Sequence, residues 1–275
     1  MCRRFILLGL TLLACLSAYE GLSDGAPASR TGKTRAVVAS DTILSGMIAS
    51  LLPPQHYSID TVLPPGQCPG HYDVKPSDIE KIRKADLVVS FQGMPFMKAT
   101  GEGGQKLLLV DAEDRNWMAP EAYLLGLNML SEKLLERFPE DRNRILGSRE
   151  KAVREVREGA RSLLQRIKRA GLGGKPLIAS SMQKEPLEWM GFLVLGAYGR
   201  PEAMSPREVV RLTKIGREQQ AVAVVDNLQS GPDAGKGIAE ALGIPHVVLT
   251  NFPSEQGYLA TLGGNIDTLA AVLNR

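Results

Sequence analysis

The chain has 275 residues, 44% hydrophobic and 23% charged, with a formal net charge of +3. This is globular composition, long enough for one large domain or for two lobes with separate cores. The charge is too small and too dispersed to suit a nucleic-acid binder.

In chain order, Arg3 and Arg4 precede an apolar run, Phe5 to Leu16, of signal-peptide length and too short for a good membrane span. Gly21 to Thr34 is small, polar and proline-containing and reads as a tether, so residues 1–34 are taken as export segment plus tether. Leu12-Leu13-Ala14-Cys15 resembles a bacterial lipobox, with Leu13 bulkier than is usual. Cys15 is therefore the lipidation candidate; ordinary cleavage after Ala26-Pro27-Ala28 is the alternative. Cys2 leaves with the signal and Cys15 is lipidated or removed, which leaves Cys68 without an intrachain partner. A lone thiol in an exported protein is either buried and inert or there for a reason such as metal binding. The Pro/Gly-rich surroundings of Cys68 favour a surface loop.

Beyond the tether, strand and helix alternate. Arg35 to Ser40 is a β-branched run, and Asp41 can cap a helix from Thr42 to Leu52. Tyr57 to Leu63 alternates as a strand. Ser77 and Glu80 form a capping box for a helix that should carry Ile79, Ile82 and Ala85 inward. Leu87 to Phe91 and Lys106 to Ala112 are apolar strands of the kind buried in parallel sheets, followed by a helix from about Pro120 to Phe138. Ser148 to Ala170 is the longest helical pattern, with Val153, Val156, Ala160, Leu163, Leu164, Ile167 and Ala170 on one stripe. At 1.5 Å per residue it spans about 34 Å and suits a connector.

The second half repeats the theme: strands at Pro176–Ser180, Leu193–Tyr198, Ala221–Asp226 and His246–Thr250. Helices are expected at Pro186–Met190, from Pro206 to about Gln219 behind a Ser205…Glu208 capping box, and at Asp233–Leu242 and Gly257–Leu273. The fold class is α/β, with two lobes of parallel-rich sheet joined by one long helix. The lobes are placed at 35–147 and 172–275 with the connector at 148–171, and ligands are expected beyond the strands' carboxyl ends, between the lobes.

One segment carries the chemistry: Leu63-Pro64-Pro65-Gly66-Gln67-Cys68-Pro69-Gly70-His71-Tyr72-Asp73-Val74-Lys75-Pro76-Ser77-Asp78. Its Cys-x-x-His pair holds a thiol and an imidazole on a stiff loop, a combination that suits capture of zinc or copper(I) over manganese.

This segment, with Lys84-Ala85-Asp86-Leu87-Val88-Val89, the long charged connector, Ser205 to Glu218 and Tyr258…Asn265-Ile266-Asp267-Thr268-Leu269, resembles the periplasmic metal-binding receptors of zinc and manganese ABC importers. The family's "PPG…H-x-[FY]-x-P-[ST]-x-x-D" pattern reads here from Pro64 to Asp78. The resemblance implies two α/β lobes joined by a rigid helix, one metal at their interface, and delivery to a membrane permease by a monomeric periplasmic receptor with no enzyme activity. Of the family's four usual ligands, the first matches His71. The second falls at Arg115, where a permanent cation replaces a histidine. The third falls near Ser180, with Met182, Gln183 and Glu185 close by; the fourth falls near Asn251, with Asn227 on the preceding strand. The His-rich insertion of zinc receptors is absent.

The metal candidates are therefore His71 and Cys68 from the first lobe, with Met182 and Glu185 from the second, because a Cys-x-x-His pair alone binds weakly. Each has a plainer role as well: a loop-bracing histidine, a gap-filling methionine, a first-turn carboxylate on a helix dipole. Asp73 can orient His71 from behind or serve the turn. Arg115 can swing out, pair with Glu185 or Asp73, or, with Asn227 and Asn251, hold an anionic or chelated ligand. His56 and His246 show no nearby donor pattern. Zinc is the first choice of cargo, with copper(I) and manganese as alternatives. A Cys68/His71 enzyme is the least favoured reading, since adjacent loop residues seldom adopt nucleophile–base geometry.

Overall fold

The computed structural model describes residues 34–100 and 104–274, which fall in one compact unit, Lys33–Arg275. Cys15 and the export segment lie outside the described residues. The first lobe holds β1 (Arg35–Ala39), α1 (Thr42–Leu51), β2 (Tyr57–Thr61), α2 (Pro76–Lys84), β3 (Leu87–Phe91) and β4 (Leu107–Val110). α3 (Pro120–Arg137) and the long α4 (Arg142–Arg169) follow. The second lobe holds β5 (Pro176–Ser180), α5 (Ser181–Trp189), β6 (Leu193–Tyr198), α6 (Pro206–Glu218), β7 (Ala223–Asn227), α7 (Lys236–Leu242), β8 (His246–Leu249) and α8 (Tyr258–Leu273).

The sheets are ordered β2-β1-β3-β4 and β6-β5-β7-β8, and every pairing is parallel. The same winding thus occurs twice, as the alternation predicts. The central strands are buried on both faces, including Val37, Val38, Val88, Val89, Val224 and Val225, which is why they read as unbroken apolar runs. In each lobe the strand order reverses beside the first strand, so the carboxyl ends of β1/β3 and β5/β7 open a crevice. Buried polar residues collect there, among them Ser40, Asp41, Ser180, Gln183 and Asn227.

One apolar core runs through both lobes. It joins Val37, Leu44, Leu87 and Leu127 to Leu177, Val225, Leu262 and Leu269, by way of Ala152, Val156 and Ile167 on α4. α4 is 28 residues long, about 42 Å at 1.5 Å per residue. It starts six residues before the expected Ser148, because a short 3-10 turn at Pro139–Asp141 leads straight into it. Its end is a Schellman motif: Leu172 N–H donates to Ile167 O (3.2 Å), with Gly171 left-handed at φ 63°. Leu164, expected on the inner stripe, is 38% exposed.

Other helix starts differ as well: α7 begins at Lys236, three residues after the expected Asp233, and α2 and α5 begin earlier than expected. α2 begins at Pro76, and its box is closed by Asp78, whose carboxylate accepts the Lys75 N–H (3.0 Å) and the Tyr72 hydroxyl (2.7 Å). Glu80 pairs instead with Lys84. Ile82 and Ala85 are buried as expected, but Ile79 is 44% exposed. α5 begins at Ser181, five residues before Pro186, because the Ser180 hydroxyl accepts the Met182 N–H. His246, at the start of β8, sits 2.6 Å from Asp226 Oδ2. Asp226 also accepts the Tyr198 hydroxyl (2.6 Å) and the Gly235 N–H (2.8 Å), so this buried carboxylate braces β6, β7 and β8.

Asp41 caps α1 as expected, accepting N–H bonds from Ile43 (2.9 Å) and Leu44 (3.1 Å) and the Ser40 hydroxyl (2.7 Å). Full burial outweighs those bonds and pushes its pKa up from 3.8 to about 6. The folded chain then holds this proton more tightly than the unfolded chain, so this carboxyl's contribution to stability declines as pH rises from about 4 to about 6. Asp41→Asn keeps the cap acceptor and removes the titration. Relative to that variant, the parent should lose on the order of 2 kcal/mol between pH 4 and pH 7, measured by urea unfolding. α3 approaches Trp117 at Gly126, where a Cβ would stand 2.5 Å from the indole ring. Gly126→Ala should cost about 1–3 kcal/mol by overpacking and lower the thermal midpoint.

Candidate functional site

The Cys-x-x-His loop leaves β2 along the end of β1, with Leu63 N–H donating to Ser40 O (3.0 Å). Gly66 turns the chain at φ 81°, and Pro69–His71 form one turn of 3-10 helix. His71 N–H closes that turn on Cys68 O (3.1 Å). Tyr72 anchors the exit, edge-on to Phe96 at 5.5 Å and bonded to Asp78. The loop faces the second lobe at the short turn Pro201–Ala203, just past β6. His71 Nε2 lies 3.8 Å from Glu202 Oε1, and Cys68 Sγ lies 4.0 Å from Arg200 Nη1. Gly70 lies close under the Arg200 guanidinium: a Cβ there would stand 2.5 Å from Nη1. Asp73 is exposed, and the carboxylate facing His71 is that of Glu202.

A second group forms where the β4–α3 loop meets α5. Asp111 Oδ1 accepts the Glu113 N–H (2.9 Å), and Glu113 and Asp114 both take positive φ, 52° and 55°, a conformation unusual outside glycine. This bend delivers Arg115 to the other lobe, where Nε and Nη2 each lie 2.6 Å from Glu185 Oε1. Glu185 Oε2 accepts the Asn116 N–H at 2.6 Å. The Glu185 hydrogen bond and charge in turn raise the Arg115 pKa. The Asn116 amide donates to Met182 O (2.5 Å) and to Asn251 Oδ1 (2.9 Å). Pro186 explains the first of these bonds. It has no N–H to give the carbonyl four residues back, so Met182 O is free for a partner across the cleft.

A cavity of about 720 Å³ lies against this bridge; its walls include Arg115, Met182, Glu185 and Asn251, with Phe91, Trp117 and Phe252. Cys68, His71 and Asp73 are not among its walls. Asn227 is buried inside the second lobe, accepting from Gln183 Nε2 (2.8 Å) and donating to Ser230 Oγ (2.9 Å). The candidates therefore fall into two groups. Cys68 and His71 face Arg200 and Glu202, whereas Met182, Glu185, Arg115 and Asn251 surround the cavity. Among the described residues no three His, Cys, Asp or Glu side chains converge as a metal-holding cluster. In this conformation both oxygens of Glu185 are engaged by Arg115 and Asn116. Asn116, Arg200 and Glu202 had no sequence motif to mark them. The position of Arg200 and Glu202 just beyond a strand's carboxyl end is a signal that would have flagged them.

The family model for the periplasmic zinc-uptake complex component A, ZnuA, matches residues 37–272. No curated protein matches the chain. Among solved structures, a crystal structure of ZnuA is similar with a TM-score of 0.71 at 12% identity, over 87% of this chain and 99% of that one. The manganese-bound periplasmic metal-binding protein of Candidatus Liberibacter asiaticus gives a TM-score of 0.73 at 16% identity, over 87% and 100%. The laminin-binding protein Lmb of Streptococcus agalactiae, an adhesin with metal-transporting activity, gives 0.69 at 16% identity, over 87% and 99%.

The bridge between Arg115 and Glu185 is half-exposed, so its contribution to stability is about 0.5–1 kcal/mol and falls with added salt. Arg115→Gln should lower the thermal midpoint by a few degrees at low salt and by less at 1 M salt. It should also raise amide exchange in residues 113–117 and 181–186, read by hydrogen-exchange mass spectrometry.

Proposed function

This chain belongs to the family of periplasmic zinc-uptake component A proteins, and on that premise we propose that it is the extracytoplasmic solute-binding component of a metal-ion ABC importer. It captures a transition metal between its lobes and hands it to a membrane permease. It acts as a monomeric receptor in the periplasm or on the outer face of the cytoplasmic membrane, and it is not an enzyme. The family match across both lobes carries this reading. The metal binding named for the similar structures, with zinc, manganese and cadmium among them, supports a transition-metal cargo. Zinc is the first choice here, because the Cys68 thiol and His71 imidazole at one turn suit it; copper(I) and manganese are the alternatives. Cys68 and His71 are the proposed donors of the first lobe. Met182 and Glu185, which line the cavity apart from that pair in this conformation, are the proposed donors of the second lobe, and Glu185 becomes available once Arg115 releases it. A second reading, a chelated or anionic cargo, is favoured by a cavity of about 720 Å³, far larger than a bare ion needs.

Metal binding to the folded form alone raises its stability. At a hundredfold excess over Kd the gain is about 2.7 kcal/mol, about 5–10 °C for a domain of this size. Chelator-stripped protein should gain that with zinc, read by calorimetry beside copper(I) and manganese. Cys68→Ser with His71→Ala should lose the gain. Stabilisation that persists in the double variant would remove those two residues from the site.

A further inference from the structure

The chain as a whole is net +3, yet α4 alone carries ten Arg and Lys against three Glu. That is a surplus of seven, so the remainder of the chain is net negative by four. Part of the surplus is neutralised. Arg149 pairs with Glu132 of α3 and Arg166 with Asp267 of α8, while Arg144 meets Asp141 and Lys151 meets Glu155. Arg142, Arg154, Arg157, Arg161, Lys168 and Arg169 are all exposed, and none has an ion-pair partner among the described residues.

Helical spacing gathers most of these into one line. Arg154, Arg157, Arg161 and Lys168 follow at intervals of three, four and seven residues, so they lie along one side of the helix. Leu164, 38% exposed, fills the gap between Arg161 and Lys168 on that side. Glu150 and Glu158 are exposed on α4 as well, but they leave the helix strongly basic. The line turns away from the buried Ala152, Val156 and Ile167, and none of its residues lines the cavity. Long cationic side chains around an apolar one suit the boundary between anionic headgroups and acyl chains.

The entry of the chain into the fold is a second, separate observation. Arg35, the first residue of β1, pairs with Glu140 just ahead of α4. Tyr57, the first residue of β2, donates to Asp141 (2.7 Å). The segment read as export signal and tether therefore joins the fold at the head of this same helix. Nineteen residues lie between Cys15 and Arg35, at most about 70 Å of chain, so an anchor at Cys15 keeps all of α4 within reach of lipid.

We infer that the exposed basic face of α4 is a docking surface for the anionic phospholipid headgroups of the membrane. Arg154, Arg157, Arg161 and Lys168 meet the phosphates, and Leu164 sits at the acyl boundary. Among the described residues no helix is long and apolar enough to cross a membrane, so the contact runs along the surface. This inference rests on the placement at the outer face of the cytoplasmic membrane proposed above, and adds the face by which the receptor is held there.

The test is lipid titration of the full chain, with Cys15→Ser in every sample so that no acyl chain masks the difference. Vesicles of phosphatidylcholine are compared with vesicles holding roughly 30 mol% phosphatidylglycerol, and binding is read by co-sedimentation. At about 0.1 M salt the anionic vesicles should bind at least about tenfold more tightly, and the preference should largely vanish at about 0.5 M. Arg154→Gln with Arg157→Gln and Arg161→Gln should lower that preference at least about tenfold. Arg207→Gln with Lys214→Gln and Arg217→Gln removes the same charge from exposed positions on α6 and should leave it unchanged. Equal binding to both vesicles overturns the inference, as does a preference that survives the α4 variant or falls equally in the α6 variant. Salt-sensitive binding to heparin with no preference for anionic vesicles also overturns it. Zinc-induced stabilisation of the same samples reads the receptor function separately, so either can fail while the other stands.

Discussion

One carboxylate bridges the cleft. Glu185 stands on α5 of the second lobe, yet both its oxygens are taken by the first, one by the Arg115 guanidinium and one by the Asn116 backbone N–H. Charge-assisted bonds of this kind are short and directional, and here they run between two separate sheets. The Asn116 side chain continues the bridge to Met182 O and Asn251. The chain therefore supplies, from its own side chains, a contact between the two lobes beyond the carboxyl ends of their strands. Whatever enters the cleft must either displace that contact or use the space beside it.

The rest of the architecture keeps the bridge in register. The lobes share a continuous apolar core that passes through α4, and α8 crosses α4 so closely that a Cβ at Gly159 would stand 2.5 Å from Leu259. Tyr258, at the start of α8, stacks on Tyr123 of α3 at 3.8 Å and donates to Met118 O. The long helix is thus a packed part of the interior and not a free strut. Large relative rotation of the lobes would have to break buried apolar contacts, so the changes most readily made at the cleft are local: release of Glu185, or movement of the half-exposed loops at Arg115 and Arg200.

The two ends of the cleft differ chemically. At one, soft and imidazole donors at Cys68 and His71 face Glu202 and Arg200 across a gap of 3.8–4.0 Å. At the other, Phe91, Trp117 and Phe252 make one wall of a cavity whose charges largely cancel. Both lie beyond the carboxyl ends of parallel strands, where doubly wound sheets leave backbone and loops available to ligands.

Much of this was legible in the sequence. Apolar runs such as Leu87–Phe91 and the capping residues Asp41 and Ser205 specify strands and helix starts through contacts only a few residues long, and they recur in an order that determines two parallel α/β lobes. The Cys68–His71 loop was equally local, because Pro69 fixes its own φ and Gly66 permits the positive φ the turn takes. The starts of α2 and α5 were misplaced because Asp78 and Ser180 competed with other plausible caps nearby, and neighbouring geometry chose between them. What only the tertiary structure decided is who meets whom across the cleft. The Arg115–Glu185 bridge spans 70 residues and the Asn116–Asn251 bond 135, and no local pattern encodes such separations.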